Sequence, residues 1–169
     1  MNICQECRGC CKFSKDDEYF SPVFTKKEIE NAKINRKMFK QKSKNVFQIN
    51  LIKSKLGNYL VCPFLDEETH LCKIYANRPM DCKLWPIIFM FDKNGKDIFL
   101  ACFDKSFCKI LENMSEDEFI EYKKNVMEFI KSNKLIYQLK EHKELIWNYE
   151  KDTFLIAKIN LSDSSLQTI

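Results

Sequence analysis

Glycine, histidine and proline are scarce in this chain of 169 residues, which has three glycines, two histidines and four prolines. The glycines, Gly9, Gly57 and Gly95, are scattered, so the sequence offers no glycine-rich loop for a nucleotide-like cofactor. Neither a Ser–His–Asp set nor a pair of catalytic carboxylates stands out, and the acidic triplets at 16–18 and 66–68 are typical of solvated loops. The sequence therefore leaves open whether the protein is an enzyme.

Long apolar runs are also absent. The longest, at 84–91, has eight residues and contains Pro86, so it is far too short to span a bilayer. Residues 2–12 are polar and cysteine-rich and lack the apolar segment of a signal peptide. We therefore expect a cytoplasmic protein with no membrane partner. Because no repeat or Pro/Gly-rich linker divides the chain, we predict a single metal-binding domain at 1–161 and a loose tail at 162–169.

Arginine is scarce too, since only Arg8, Arg36 and Arg78 are found among 28 basic residues. Specific nucleic-acid readout and bidentate phosphate contacts favour arginine over lysine. The lysine-rich stretch at 26–55 therefore favours a solvated face, and a nucleic-acid partner is disfavoured. A protein or redox partner is expected, although the sequence does not identify it.

Cysteine, by contrast, is abundant, with nine in the chain. Four of them, Cys4, Cys7, Cys10 and Cys11, fall within the first eleven residues among polar neighbours. Two-residue spacing lets successive thiolates converge on one metal centre. In a reducing compartment, so many cysteines indicate metal ligands or redox chemistry, and an odd number fits a disulfide framework poorly. The sequence therefore predicts a metal site.

Three downstream cysteines, Cys62, Cys72 and Cys82, are each separated by nine residues. Such intervals let the chain leave a site and return to it. Metal binding, which contributes on the order of 10 kcal/mol for structural zinc, can offset the loop-closure entropy.

The adjacent Cys10 and Cys11 raise the question of one centre or two. Neighbouring side chains of an extended chain point in opposite directions, so either one thiolate is a ligand and the other packs, or each serves a different centre. His70 is the only candidate imidazole ligand, and Cys108 can equally be a small buried hydrophobe. Residue types alone leave zinc and an iron–sulfur cluster about equally favoured.

The pattern of the remaining residues predicts an α+β fold: a small irregular domain with two β-hairpins and a cysteine-rich, metal-organised loop region, flanked by helices. Capping boxes at Thr25–Glu28 and Ser115–Glu118 open two helices, the first ending near residue 42. A further helical stretch is expected at 134–149. The hairpins join 47–51 to 59–62 around Gly57, and 86–92 to 97–102 around Asn94-Gly95. A short helical turn is expected at 74–77.

Several linked motifs carry a resemblance to a known family: C-x2-C-x2-C-C at 4–11, Cys-Pro-Phe-Leu at 62–65, Cys-Lys-Ile-Tyr at 72–75, Arg78-Pro79 and Cys82. Over roughly residues 4–102 the chain resembles the YkgJ-like cysteine-cluster family, whose members are described as zinc- or iron-chelating or as containing Fe–S clusters. The resemblance implies the following metal ligands: Cys4, Cys7, Cys10, Cys11, Cys62, Cys72, Cys82 and Cys102. The chain departs from the family pattern at 102–104, where Cys-Phe-Asp replaces the usual Cys-Pro-Gly, and at Lys83, where arginine is usual.

The resemblance favours a cytoplasmic metal-binding protein with an iron–sulfur cluster, of the [4Fe–4S] type, ahead of zinc. Flagellin lysine methylases carry a similar cysteine cluster, so a methyltransferase-like enzyme is one alternative. A redox or sulfur-handling protein is another, because a thiol beside a cluster can be reactive.

Overall fold

The computed structural model describes residues 9–169, with the backbone alone at residues 109 and 110. The chain divides into two units, Met1–Lys83 and Leu84–Ile169. The prediction of one domain at 1–161 stays a prediction. No helix in the described part of the chain is long and apolar enough to cross a membrane.

Two three-stranded antiparallel sheets build the described part of the first unit, one in the order β2-β4-β3 and the other in the order β1-β6-β5. The strands are β1 (Lys12–Phe13), β2 (Val23–Thr25), β3 (Phe39–Gln41), β4 (Val46–Ile49), β5 (Ile52–Lys53) and β6 (Leu60–Val61). All four residues of β4 are buried, because this strand lies in the middle of its sheet. Phe24, Phe39 and Phe47 form the centre of the hydrophobic core of this unit.

The helix α1 (Lys26–Asn31) begins at the predicted capping box, in which Thr25 Oγ1 accepts from the Glu28 amide and Glu28 accepts from the Thr25 amide. The predicted end near residue 42 is wrong. The helix stops at Asn31, and Lys33 takes a left-handed φ of 53°. The chain then makes a 3-10 turn and enters β3, because Phe39 is buried in the core and β3 pairs with β4.

The turn of the first predicted hairpin is confirmed, but one of its two predicted strands is wrong. β6 pairs with β5, whereas the predicted partner, β4, lies in the other sheet. A Cβ at Gly57 would lie 2.5 Å from the Tyr59 ring, so a larger residue there would require the partly exposed Tyr59 side chain to shift. A 3-10 turn at Tyr75–Asn77 confirms the predicted helical turn, and the helix α2 (Met80–Leu84) follows it.

The second unit contains a four-stranded antiparallel sheet in the order β10-β9-β8-β7. Its strands are β7 (Ile87–Phe91), β8 (Ile98–Phe103), β9 (Thr153–Asn160) and β10 (Ser165–Thr168). β7 and β8 form the second predicted hairpin, with Gly95 at a φ of +67° in its turn. Residues 162–169 are therefore not a loose tail throughout, since Ser165 to Thr168 pair with β9. The sequence does not predict β9, because no turn signal such as Asn-Gly marks this strand.

Three helices complete the second unit: α3 (Lys109–Glu112), α4 (Glu116–Ser132) and α5 (Leu135–Glu141). The predicted capping box is present at α4, where Ser115 and Glu118 exchange hydrogen bonds. The predicted helical stretch at 134–149 is shorter in the structure, ending at Glu141 before a 3-10 turn. The fold is mixed α+β with small antiparallel sheets, as the sequence predicts.

Candidate metal centre

The pairing of β1 with β6 brings the first cysteines beside Cys62. Cys10 and Cys11 occupy a 3-10 turn just before β1. Lys12 pairs with Val61, and the Cys62 amide donates to the Cys11 carbonyl oxygen at 3.0 Å. Two cysteines that are fifty-one positions apart thus lie next to each other through a short antiparallel ladder.

A closed loop at 62–73 then returns Cys72 to the same place. The Leu65 amide donates to the Cys62 carbonyl at 2.9 Å, and Leu65 forms an antiparallel bridge with Cys72. One residue further on, the Lys73 amide donates to the Phe64 carbonyl at 2.8 Å. Cys62 and Cys72 therefore stand at the base of one loop.

The helix α2 supplies Cys82, and two carboxylates fix the start of this helix. Glu28 Oε1 accepts from the Met80 amide at 2.7 Å, so the carboxylate that caps α1 also caps α2. Asp81 Oδ2 accepts from the Val23 amide at 3.0 Å and ties α2 to β2. The position of Cys82 is therefore set by hydrogen bonds to residues more than fifty positions away.

These cysteines line one pocket with largely apolar walls, and its cavity is about 40 Å³. The residues around it are Cys10, Cys11, Pro22, Phe24, Cys62, Phe64, Leu65, His70, Leu71, Cys72, Ile74, Tyr75, Arg78, Pro79 and Cys82. A buried water needs roughly 10–15 Å³, so this cavity has room for a single ion.

Four of these thiols are close enough to influence one another, and we call Cys10, Cys62, Cys72 and Cys82 the pocket cysteines. Burial, with a smaller contribution from the Cys72 and Cys10 thiols, raises the pKa of the Cys62 thiol to about 12. The Phe64 and Leu65 amides, which hydrogen-bond to the Cys62 sulfur, act in the opposite direction. Without a cation, this thiol therefore keeps its proton at neutral pH.

The Cys82 thiol has the same character. Burial raises its pKa well above the ordinary value, and the neighbouring Asp81 carboxylate and the other pocket cysteines add to the shift. Cys82 as a whole residue is only partly buried, but its sulfur is closely packed. Desolvation is therefore the main cause of the raised pKa. A bound metal cation would supply the positive charge that stabilises such thiolates.

Cys10 and Cys11 differ in their surroundings, although both line the pocket. Cys10 contributes to the electrostatic field at Cys62 and Cys82. Cys11 packs against the hydrophobic core of the first unit, as Cys72 also does. Whether one or both thiols of this pair are ligands stays a prediction.

The described residues do not hold a complete ligand set. Within residues 9–169, no three Cys, His, Asp or Glu side chains are grouped closely enough to hold a metal ion. Cys4 and Cys7 lie outside the described residues. The donor chemistry of the pocket fits zinc or iron, since thiolate and imidazole are their preferred ligands, and the assignment of individual ligands stays a prediction.

Two further cysteines lie in the second unit. Cys102, at 0% exposure, is on β8, and Cys108, also buried, precedes α3. Burial and the Cys108 thiol raise the pKa of Cys102 to about 12. The assignment of Cys102 to the metal site therefore rests on the resemblance alone.

Arg78 forms part of the pocket wall. Its Nε donates to the Tyr75 carbonyl at 3.1 Å, and its guanidinium lies 3.8 Å from the centre of the Tyr75 ring. Both contacts orient the turn before Pro79 and α2. Arg78 belongs to a motif that the sequence shows. The role of Glu28 and Asp81 in holding α2 is not predicted, because it depends on long-range contacts that no local motif reveals.

A family model described as "CxxCxxCC: Putative zinc- or iron-chelating domain" matches residues 3–123 of this chain. The match includes all the cysteines, from Cys4 to Cys108, and ends within α4. No curated protein and no solved structure matches the chain.

Proposed function

The chain belongs to the CxxCxxCC family of zinc- or iron-chelating domains, and we propose that its function is to bind a metal centre through the N-terminal cysteine group and the pocket cysteines. The observation that carries this proposal is the set of four thiols delivered to one pocket by the turn before β1, by both ends of the loop at 62–73 and by α2. Thiolates that come from separate segments and meet at one place are the ligands that zinc and iron prefer.

We further propose that the centre is an iron–sulfur cluster. The first 82 residues contain seven cysteines, whereas a single tetrahedral zinc ion takes four ligands. The spacing Cys4-x2-Cys7-x2-Cys10 is that of the three-cysteine part of a ferredoxin-type site. When bound, such a cluster supplies one-electron transfer.

Zinc is the second candidate, and the volume of the pocket favours it. A cavity of about 40 Å³ suits one ion better than four irons with their sulfides. In this version, a subset of the same cysteines provides a tetrahedral site, and the centre stabilises the fold.

The chain's own residues prepare the site in both versions. The amides of Phe64 and Leu65 direct hydrogen bonds at the Cys62 sulfur and favour its thiolate form. The apolar side chains of the wall reduce the access of water to the buried Cys62. Glu28 and Asp81 hold α2, and therefore Cys82, in place.

We also propose a cytoplasmic location and a protein or redox partner. Cys11, Cys62, Cys82 and Cys102 carry free thiols, which is the state expected in a reducing compartment. A reducing environment also preserves thiolate ligands.

Anaerobic purification followed by metal and sulfide analysis tests the proposal. The iron–sulfur version predicts brown protein with broad visible absorption and with iron and acid-labile sulfide. Colourless protein with stoichiometric zinc would overturn that version and support the second candidate. Folded protein that takes up neither metal would overturn the proposed function itself.

A further inference from the structure

The imidazole of His70 lies in the wall of the metal pocket and has a buried nitrogen that no described residue satisfies. His70 Nδ1 is inaccessible to solvent and makes no hydrogen bond within the described residues. Leaving a polar atom buried without a partner costs about 1–3 kcal/mol, and buried polar side chains are generally hydrogen-bonded. A plain core histidine would therefore be expected to have a partner for this atom.

The backbone at His70 is also unusual. Its φ of 58° lies in the left-handed region, which a non-glycine residue seldom adopts. Lys33, Lys134 and Ser164 also adopt it, so the φ does not mark a site by itself, but surrounding contacts must enforce it at His70. An unsatisfied nitrogen and a strained backbone thus coincide at one residue of the pocket.

The loop around His70 holds this conformation firmly. Asp66 Oδ1 accepts from the amides of Glu68 and Thr69 at 3.1 and 3.0 Å. The Asp66 amide in turn donates to the Leu71 carbonyl at 2.9 Å and closes the loop across His70. The imidazole is therefore presented by a closed turn whose ends are Cys62 and Cys72.

The other side chains around the pocket offer few polar partners for Nδ1. Apart from Arg78 and Tyr75, which contact each other, the wall consists of apolar side chains and cysteines. An imidazole and thiols in the wall of one pocket are together a donor set that suits zinc and iron.

We propose that His70 is a ligand of the metal centre and coordinates it through Nδ1. This inference rests on the proposed function and extends it, since the ligand set becomes mixed thiolate and imidazole. A neutral imidazole adds no negative charge, so it reduces the repulsion among the thiolates. In a zinc site it gives a Cys3His set, and at a cluster it raises the reduction potential.

The presence of only two histidines, His70 and His142, makes the test direct. The full-length, metal-depleted protein is labelled with ¹⁵N-histidine and loaded with ¹¹³Cd²⁺ as the probe. Cadmium NMR then reports the thiolate and nitrogen ligands through the chemical shift and the Cd–N coupling. His142→Ala is the matched control, because His142 is also partly buried, follows the end of α5 and does not line the pocket.

We expect a cadmium resonance coupled to one histidine nitrogen in the wild type and in His142→Ala. The coupling should disappear in His70→Ala, with Cd²⁺ bound at least about tenfold more weakly. His70→Cys should restore the affinity and shift the resonance to an all-sulfur position. The labelled wild type needs no substitution, so misfolding of a variant cannot obscure the result.

A cadmium resonance without nitrogen coupling, unchanged in His70→Ala, would overturn the assignment of His70 and leave the proposed function standing. No cadmium binding by the folded wild type would instead contradict the proposed function. The two failures are therefore distinguishable in one experiment.

Discussion

Cys62 in the metal pocket and Cys102 in the second unit are alike in burial, but their cysteine neighbours are arranged differently. Cys62 and Cys102 are 5% and 0% exposed, and burial raises the pKa of each to about 12. By exposure and by pKa, these two thiols cannot be told apart.

The difference lies in where the neighbours come from. The pocket cysteines come from a turn, two ends of a closed loop and a helix, and they share their pocket with a buried imidazole nitrogen. Cys102 and Cys108 are six positions apart on one segment. Their mutual influence therefore follows from local chain connection, and it requires no fold built to bring thiols together.

The comparison teaches that a buried cysteine with a raised pKa is not in itself evidence of a metal site. Burial alone explains such a thiol as a small hydrophobe. Convergence from distant segments requires specific long-range contacts, such as those of Glu28 and Asp81, and is the stronger indication of function.

Removal of the metal should produce the largest difference between the metal pocket and the sheet of the second unit. Structural metal sites contribute on the order of 10 kcal/mol to folding, so metal-depleted protein should lose amide protection at 62–73 and in α2. The amides of β7, β8 and β9 should stay protected, because we expect no metal ligands to be needed for that sheet. Hydrogen exchange on loaded and depleted protein measures both regions at once, and equal protection at 62–73 in the two forms would contradict the prediction.

Metal affinity should fall as the pH is lowered. Cys62 holds its proton with a pKa of about 12 and Cys82 with a strongly raised pKa, so each must release a proton to bind. Each released proton makes affinity change by about tenfold per pH unit below the thiol pKa. Competition with a chelator between pH 6 and 9 measures the slope, and a flat profile would exclude thiols as the ligands.

The two capping boxes offer a matched pair of substitutions. Glu28→Ala removes the caps of both α1 and α2 and should destabilise the protein by about 2 kcal/mol and weaken metal binding through Cys82. Glu118→Ala removes the equivalent cap of α4 alone and should leave metal affinity unchanged. Denaturant unfolding and metal titration check both, and equal metal affinity in the two variants would remove the positioning role of Glu28.

The smallest effect concerns Cys102 at alkaline pH. The folded protein holds this proton more tightly than the unfolded chain, since the thiol pKa is raised from 9.0 to about 12. Stability is therefore full below pH 9 and falls as the pH rises towards 12, by on the order of 1 kcal/mol at pH 10. Cys102→Ala should flatten this part of the pH profile of unfolding. An unchanged profile would show that Cys102 does not cause it.

Local patterns in the sequence predicted the elements that depend on local contacts. Both capping boxes and the Asn94-Gly95 hairpin are present, because a cap or a tight turn is satisfied within a few residues. The end of α1 was missed because burial of Phe39 overrides helix propensity. β10 was missed because its residues are polar and its partner, β9, supplies the pairing.

The candidate site shows the same limit. The spacing of Cys62 and Cys72 indicated two returns to one site, and the structure places both at the base of one loop. The unsatisfied nitrogen of His70 could not be predicted, because it depends on the φ of the loop and on the wall around it. Predictions for Cys4 and Cys7 lie outside the described residues.

The metal content of two matched alanine variants tests the central claim most directly. Cys62 and Cys108 are 5% and 6% exposed, so each substitution removes one buried thiol of similar environment. The resulting cavities should cost similar stability. Zinc, iron and sulfide are measured per folded chain after anaerobic purification. We predict that Cys62→Ala loses most of its metal and that Cys108→Ala retains the wild-type content. Equal metal content in the two variants would contradict the claim that convergence at the pocket creates the metal site.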